Sequence, residues 1–227
     1  MAKGSVLQFI FVPETDVHEA MLSMGDNELQ DAYLASAVAT LSAGQAIIFP
    51  TDTVYGLGVA VGLAQSPAIL YDIKARDHGK PVAWLVGSPE ALALYGEAVP
   101  EFAFAIARAY WPGPMTLIVK AGANVPEAFR AEGGTIALRM PDNEISLRLI
   151  ERVGMPLATT SANISGQQPP KTFSELDRTL LERVRVVLRD ETEKSGIAST
   201  IIDCTQDAPV MVREGDVSLA DIEALLS

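Results

Sequence analysis

Short apolar runs recur along the whole chain, and segments with helical spacing stand between them. AIIFP (46–50), VAWLV (82–86), MTLIVK (115–120) and TIALRM (135–140) are clear strand candidates. PEFAFAIARAY (100–110) and NEISLRLIERVG (143–154) read as helices. The first of these stops at WPGP, where two prolines forbid continuation, and the second at Gly154. Interleaved strands and helices leave few architectures open. They predict an α/β sheet with helices packed on it. Further strands are expected in VLQFIFV (6–12), PLATTSA (156–162), VRVVL (184–188), STIID (199–203) and PVMVR (209–213). A helix opening at Asp26 or Asn27 carries Leu29, Tyr33, Leu34, Ala37, Val38 and Leu41 at helical spacing, and Gly44 ends it. Ser66-Pro67 opens another helix, PAILYDIKAR, and Ser88-Pro89-Glu90 repeats that grammar. A helix is expected about 173–181, and SLADIEALL closes the chain as one. TDTVYGLG (51–58) reads as a polar loop.

The totals exclude several classes. With 227 residues the chain suits one core, and a single domain over 1–227 is expected. The formal charge of −12 argues against a broad phosphate-backbone footprint, although an acidic protein can still hold a small anion in a local cationic pocket. Cys204 is the lone cysteine, so neither a disulfide nor a cysteine metal cluster can form within the chain. His18 and His78 are far apart in sequence, which leaves little for a zinc site or a histidine triad. The apolar start is too short for a signal peptide and nothing later spans a membrane, so a cytoplasmic protein is expected.

Polar residues gather in four stretches at or near strand ends, where an open α/β sheet keeps its ligand crevice. In FPTDTVYGLG, Gly56 and Gly58 permit tight or left-handed turns, and an extended backbone would put Thr51 and Thr53 on one face and Asp52 on the other. In IKARDHGK, Lys74, Arg76 and Lys80 bring three cations together, suited to phosphate oxygens or to a solvated helix end. In TIALRMP, period two places Thr135, Ala137 and Arg139 on one face. A buried Arg139 needs an anion, whether a ligand or one of the chain's own carboxylates. In TTSANISG, Thr159, Ser161 and Asn163 alternate onto one face, as a row of neutral partners for an anion or nucleotide, or as caps for a following helix. No GxxxxGK[ST] loop and no G-x-G-x-x-G after a strand is present. From the residues alone, the chain is an α/β protein with a hydroxyl- and cation-rich pocket for a small polyanion.

With these stretches in order, the chain resembles the YrdC-like proteins, whose characterised members are threonylcarbamoyl-adenylate synthases. FPTDTVYGLG, the K-x-R of Lys74 and Arg76, WPGPMTLIVKA, ALRMP, TTSANISG, and ASTIID followed by VREG are collinear from about 47 to 215. The resemblance implies a twisted open mixed sheet with helices packed on it and a large concave cationic cleft. It implies condensation of L-threonine, bicarbonate or CO2, and ATP to threonylcarbamoyl-adenylate with release of pyrophosphate. A partner transferase complex would then use the product for N6-threonylcarbamoyladenosine at position 37 of tRNA. By position, Thr53, Arg139, Thr159 and Ser199 would contact threonine. Lys74, Arg76, Lys80, Thr135, Ser161, Asn163 and Arg213 would hold ATP, with Lys74, Arg76 and Arg139 carrying the catalysis. Mg²⁺ would be bound mainly through the nucleotide rather than by protein ligands. Two alternatives are a paralogue with the same cleft and another task, and an RNA-binding protein, since the cleft could hold RNA weakly. The kept K-x-R and S-x-N pairs argue against a branch of the superfamily that lacks them. Where many relatives carry Pro after the K-x-R arginine, this chain has Asp77, followed by His78 and Gly79. A chain that ends one helix after VREG would be the single-domain type.

Overall fold

The structure, a computed structural model, describes residues 8–11, 26–75, 82–190 and 192–227. Ten strands form one mixed, open, twisted sheet: β1 (Gln8–Phe11), β2 (Ile47–Pro50), β3 (Tyr55–Ala60), β4 (Ala83–Leu85), β5 (Met115–Lys120), β6 (Thr135–Arg139), β7 (Leu157–Ser161), β8 (Val186–Arg189), β9 (Thr200–Asp203) and β10 (Val210–Arg213). Their spatial order is β1-β8-β2-β3-β7-β4-β6-β5-β9-β10. The pairs β8–β2, β4–β6 and β5–β9 are parallel, and the remaining neighbours are antiparallel.

Seven α-helices are described: α1 (Asp26–Ser42), α2 (Ala68–Lys74), α3 (Ala91–Tyr95), α4 (Glu101–Tyr110), α5 (Glu144–Val153), α6 (Arg178–Leu181) and α7 (Leu219–Leu226). Alternation along the strands divides the apolar residues between two cores, one on each face. Ile48, Leu57, Trp84, Leu117, Leu138, Ala158 and Ile202 enter the larger core with α2, α3, α4 and α7. Ile47, Phe49, Ala60, Leu85, Leu157, Val186 and Leu188 enter the smaller one, under Leu34, Ala37 and Leu41 of α1 and Ile145, Leu149 and Ile150 of α5. The spacing of the α1 residues is the helical stripe expected from the sequence.

α1 and α5 cover only part of their face. Beyond them, Ala83, Ile118, Thr135, Ala137, Ser161, Ile201 and Asp203 are half-buried, and all but Ser161 have buried strand neighbours. The register places all seven on the side opposite the larger core. This uncovered area is where the polar stretches converge.

Three expectations need correction. TDTVYGLG is a loop only to Val54, because Tyr55–Ala60 is a fully buried strand between β2 and β7. Gly56 and Gly58 lie in this strand without positive φ, so they serve close approach rather than a left-handed turn. A Cβ on Gly58 would sit 2.8 Å from Thr159 Oγ1 and 2.9 Å from the Phe49 ring, and one on Gly56 would sit 2.9 Å from Thr159 Cγ2. Finally, the expected helix about 173–181 is a 3-10 turn, Phe173–Glu175, followed by the separate short α6. Leu176 and Asp177 are extended between them, and Asp177 caps the second piece by accepting from the Thr179 amide.

Candidate functional site

Arg139 ends β6 with only 6% of its surface exposed. Each of its three guanidinium nitrogens donates once. Nη2 donates to Asp52 Oδ1 at 2.6 Å, Nη1 to Thr53 Oγ1 at 2.9 Å, and Nε to the Gly113 carbonyl at 3.0 Å. Asp52 thus supplies the anion that a buried arginine requires. Burial lowers the Arg139 pKa from its ordinary value, and the Asp52 carboxylate opposes that shift.

The Asp52 contact was not foreseen, because an extended 51–54 segment would have turned it away from Thr53. The segment is instead a closed turn. The Thr51 amide donates to the Val54 carbonyl at 3.2 Å, and Thr51 Oγ1 donates to the same carbonyl at 2.6 Å. Thr51 and Thr53 hydroxyls lie 3.1 Å apart, and Asp52 and Thr53 both reach Arg139. The signal available in the sequence was the carboxylate inside TDT, next to hydroxyls already singled out.

A second group forms at the end of β7. Lys74, the last residue of α2, is 2% exposed. Its ammonium donates to the Ser161 carbonyl, to Asn163 Oδ1 at 3.1 Å, to Thr160 Oγ1 at 3.3 Å and to Ser161 Oγ at 3.4 Å. Ser161 Oγ donates to Asn163 Oδ1 at 2.5 Å, and the Asn163 amide group donates to the carbonyls of Ile164 and Gln167. The TTSAN stretch is therefore a strand end wrapped around a buried cation. β7 stops at Ser161, so Asn163 belongs to the following bend rather than to the strand.

A third group lies across the sheet. Ser199, just before β9, shares a 2.8 Å hydrogen bond with Thr116 of β5. Arg213 of β10 donates to the Ser199 carbonyl from Nε at 3.0 Å and Nη2 at 2.8 Å, and to Ser199 Oγ at 3.2 Å. Arg213 is exposed on the edge strand β10, yet partial desolvation of its guanidinium lowers its pKa, and the nearby Arg139 charge lowers it further. These two arginines therefore feel each other, and an anion between them would relieve the repulsion.

The register puts Thr135, Arg139, Thr159, Ser161, Thr116 and Arg213 on the same face. Thr159 Oγ1 donates to the Leu157 carbonyl at 2.9 Å, which leaves its lone pairs to accept. The bare Gly56 and Gly58 lie against it. Arg76, Lys80 and the Asp77-His78-Gly79 segment lie outside the described residues. Thr51, Thr116 and Thr160 complete the three groups and were not among the expected site residues. Among the described residues, no group of three or more His, Cys, Asp or Glu is placed to hold a metal ion. No described helix is long and apolar enough to cross a membrane.

The class so defined is an open α/β sheet that gathers cations and hydroxyls at its strand ends, beside a face its helices leave partly uncovered. Comparison with known proteins gives the family: residues 39–215 match the Sua5/YciO/YrdC model, which is headed Telomere recombination, and the chain belongs to that family. A Pyrococcus abyssi protein named Threonylcarbamoyl-AMP synthase is 33% identical over 190 residues, covering 84% of this chain and 56% of its own length. A Marinobacter nauticus protein of the same name is 31% identical over 171 residues, covering 75% of this chain and 90% of its own length. The crystal structure of P. abyssi Sua5 complexed with L-threonine superposes with a TM-score of 0.78 at 33% identity, over 85% of this chain and 57% of that one. The chain thus spans little more than half of the Pyrococcus protein and nearly all of the Marinobacter one.

Proposed function

We propose that the chain is an L-threonylcarbamoyladenylate synthase, a nucleotidyltransferase that condenses L-threonine, bicarbonate or CO2, and ATP, and releases pyrophosphate. The observation that carries this reading is the grouping just described: two buried cations, Lys74 and Arg139, and an exposed one, Arg213, each held by hydroxyls and carbonyls at or near the ends of sheet strands. The names of the relatives, and the threonine in the P. abyssi complex, supply the substrate class.

The chemistry suits such a site. Carbon dioxide captured by the neutral threonine amine gives a carbamate, with one proton released to water, and its carboxylate is already a nucleophile. It attacks the α-phosphorus of ATP, and pyrophosphate leaves with the bond electrons. Positioning and charge stabilisation then carry the rate more than proton transfer does. In this reading Arg139, with Thr53, Thr159 and Ser199, holds threonine. Lys74, Ser161, Asn163, Thr135 and Arg213 take the nucleotide, joined by Arg76 and Lys80, in a cationic cleft above the uncovered face. ATP enters as its Mg²⁺ complex, with triphosphate oxygens as the main ligands of the ion. The adenylate would pass to a transferase acting on tRNA.

The test is pyrophosphate release by purified protein with ATP, Mg²⁺, L-threonine and bicarbonate, each omitted in turn, with mass detection of the adenylate. Release that requires both threonine and bicarbonate is expected. Folded protein that releases none overturns the reading. In that case, RNA retained at moderate salt without ATP or threonine would favour a binding protein.

A further inference from the structure

A different buried ion pair lies behind the Asp52–Thr53 turn. Lys194 Nζ donates to Asp190 Oδ1 at 2.5 Å, with the two side chains 1% and 0% exposed. The ammonium also donates to the Thr192 carbonyl at 3.1 Å and stands 4.7 Å from the centre of the Tyr55 ring. Asp190 Oδ2 accepts from Thr192 Oγ1 at 2.5 Å and from Asn143 Nδ2 at 3.4 Å. The Tyr55 hydroxyl lies 3.3 Å from both the Asp190 amide and the Asp190 carbonyl, accepting from one and donating to the other. Lys194, Asp190 and Tyr55 thus hold one another in a closed ring of contacts.

Two features tie this ring to the site. Directly beyond Lys194, the Ser195 amide donates to the Asp52 carbonyl at 3.1 Å and the Gly196 amide to the Thr53 carbonyl at 2.9 Å. The same segment then delivers Ser199 to Thr116 and Arg213. It has almost no apolar anchorage of its own: from Thr192 to Ala198, Lys194 is the one buried residue, and Ile197 is 49% exposed. A buried ion pair is a weak source of stability, since apolar residues of similar volume often do as well. What it adds here is directional. An ammonium with fixed acceptors and an aromatic face above it admits few placements.

We propose that Lys194 is a positioning residue for the threonine pocket. Its ion pair with Asp190 clamps the 192–199 segment against the Asp52–Thr53 turn and so sets the spacing between Thr53 and Ser199. Lys194 touches no substrate. The threonine part of this inference rests on the synthase reading, whereas the clamp itself does not.

The experiment compares wild type, Lys194→Met, and Lys194→Met/Asp190→Asn in the full chain. In pyrophosphate release, Lys194→Met should raise the KM for threonine about tenfold and leave that for ATP within about twofold, because only the threonine side loses its spacing. Amide exchange at Ser195 and Gly196 should quicken about tenfold or more. The double variant removes the uncompensated buried carboxylate, so its melting temperature should return toward wild type while the threonine KM stays raised. A merely structural pair would let the KM recover with the melting temperature, and that result overturns the proposal. So does an unchanged threonine KM in the single variant, or equal losses for threonine and ATP. If wild type releases no pyrophosphate, the synthase reading falls. The clamp is then decided by exchange, faster amides upholding it and unchanged amides removing it.

Discussion

Asp52→Ala would leave the Arg139 guanidinium buried with two neutral acceptors, Thr53 Oγ1 and the Gly113 carbonyl. Breaking a fully buried pair by removing one partner costs about 3–5 kcal/mol. Arg139 is nearly enclosed, but the Asp52 side chain is 17% exposed, so water can reach the vacated side. That access brings the cost to the bottom of this range or just below it, about 2–3 kcal/mol. For a chain of this size that lowers the melting temperature by about 5–10 °C. Asp52→Asn keeps the shape and one hydrogen bond while losing the charge, and should cost about 1 kcal/mol. Asp52→Ala/Arg139→Met removes both charges and should recover to within about 1 kcal/mol of wild type. The assay is reversible thermal or urea unfolding followed by circular dichroism at neutral pH. An Asp52→Ala loss below about 0.5 kcal/mol, within the range of an ordinary surface change, would refute the claim that this pair is desolvated.

Gly58→Ala should destabilise by about 2–3 kcal/mol, since the new methyl meets Thr159 Oγ1, the Phe49 ring and the Ala158 carbonyl at 2.8–3.1 Å. Gly56→Ala presses chiefly on Thr159 Cγ2, so Thr159→Ser should rescue its melting temperature but not that of Gly58→Ala. Cys204 is 1% exposed, and burial, with the Asp203 carboxylate beside it, pushes its thiol from the ordinary 9.0 up to about 12. Iodoacetamide at pH 8 should therefore spare the folded chain and label it on unfolding. Because the folded pKa is the higher one, this contribution to stability is fully present below pH 9 and is lost as pH rises from 9 toward 12.

Much of the architecture was legible wherever local pattern and punctuation agreed. β5, α4 and α5 stand where the sequence puts them, because Pro112, Pro114 and Gly154 stop the helices and the β5 run is strongly apolar. β3 was hidden because Gly56 and Gly58 look like turn residues, although their function is to let Thr159 and Phe49 approach. The strand order was not legible at all, since β3–β7 and β5–β9 join segments that share no local signal. Within the site, each polar stretch could be seen but not its partners. Arg139 plainly needed an anion, yet nothing in TIALRMP points to a carboxylate 87 positions earlier. Lys74 looked like one of three phosphate cations, and only the fold shows it seated on Ser161 and Asn163. The Lys194–Asp190 pair escaped notice because RDETEK reads as an ordinary charged loop.

The antiparallel pairing of β3 with β7 has a consequence for synthesis on the ribosome. It joins residues 56–60 to 157–161, and the contacts from Lys74 to Asn163 and from Arg139 to Thr53 span 89 and 86 positions. Closures of that length are costly in chain entropy and slow to form, and no local helix can stand in for them. A nascent chain that has emerged as far as residue 150 already contains Lys74, Arg139 and the apolar strand β3, but neither β7 to cover that strand nor Asn163 to receive the ammonium. Cover for β3 therefore waits for β7, and competence for ligand waits longer still, for Ser199 and Arg213; until β7 emerges the exposed edge of β3 is a natural target for a chaperone.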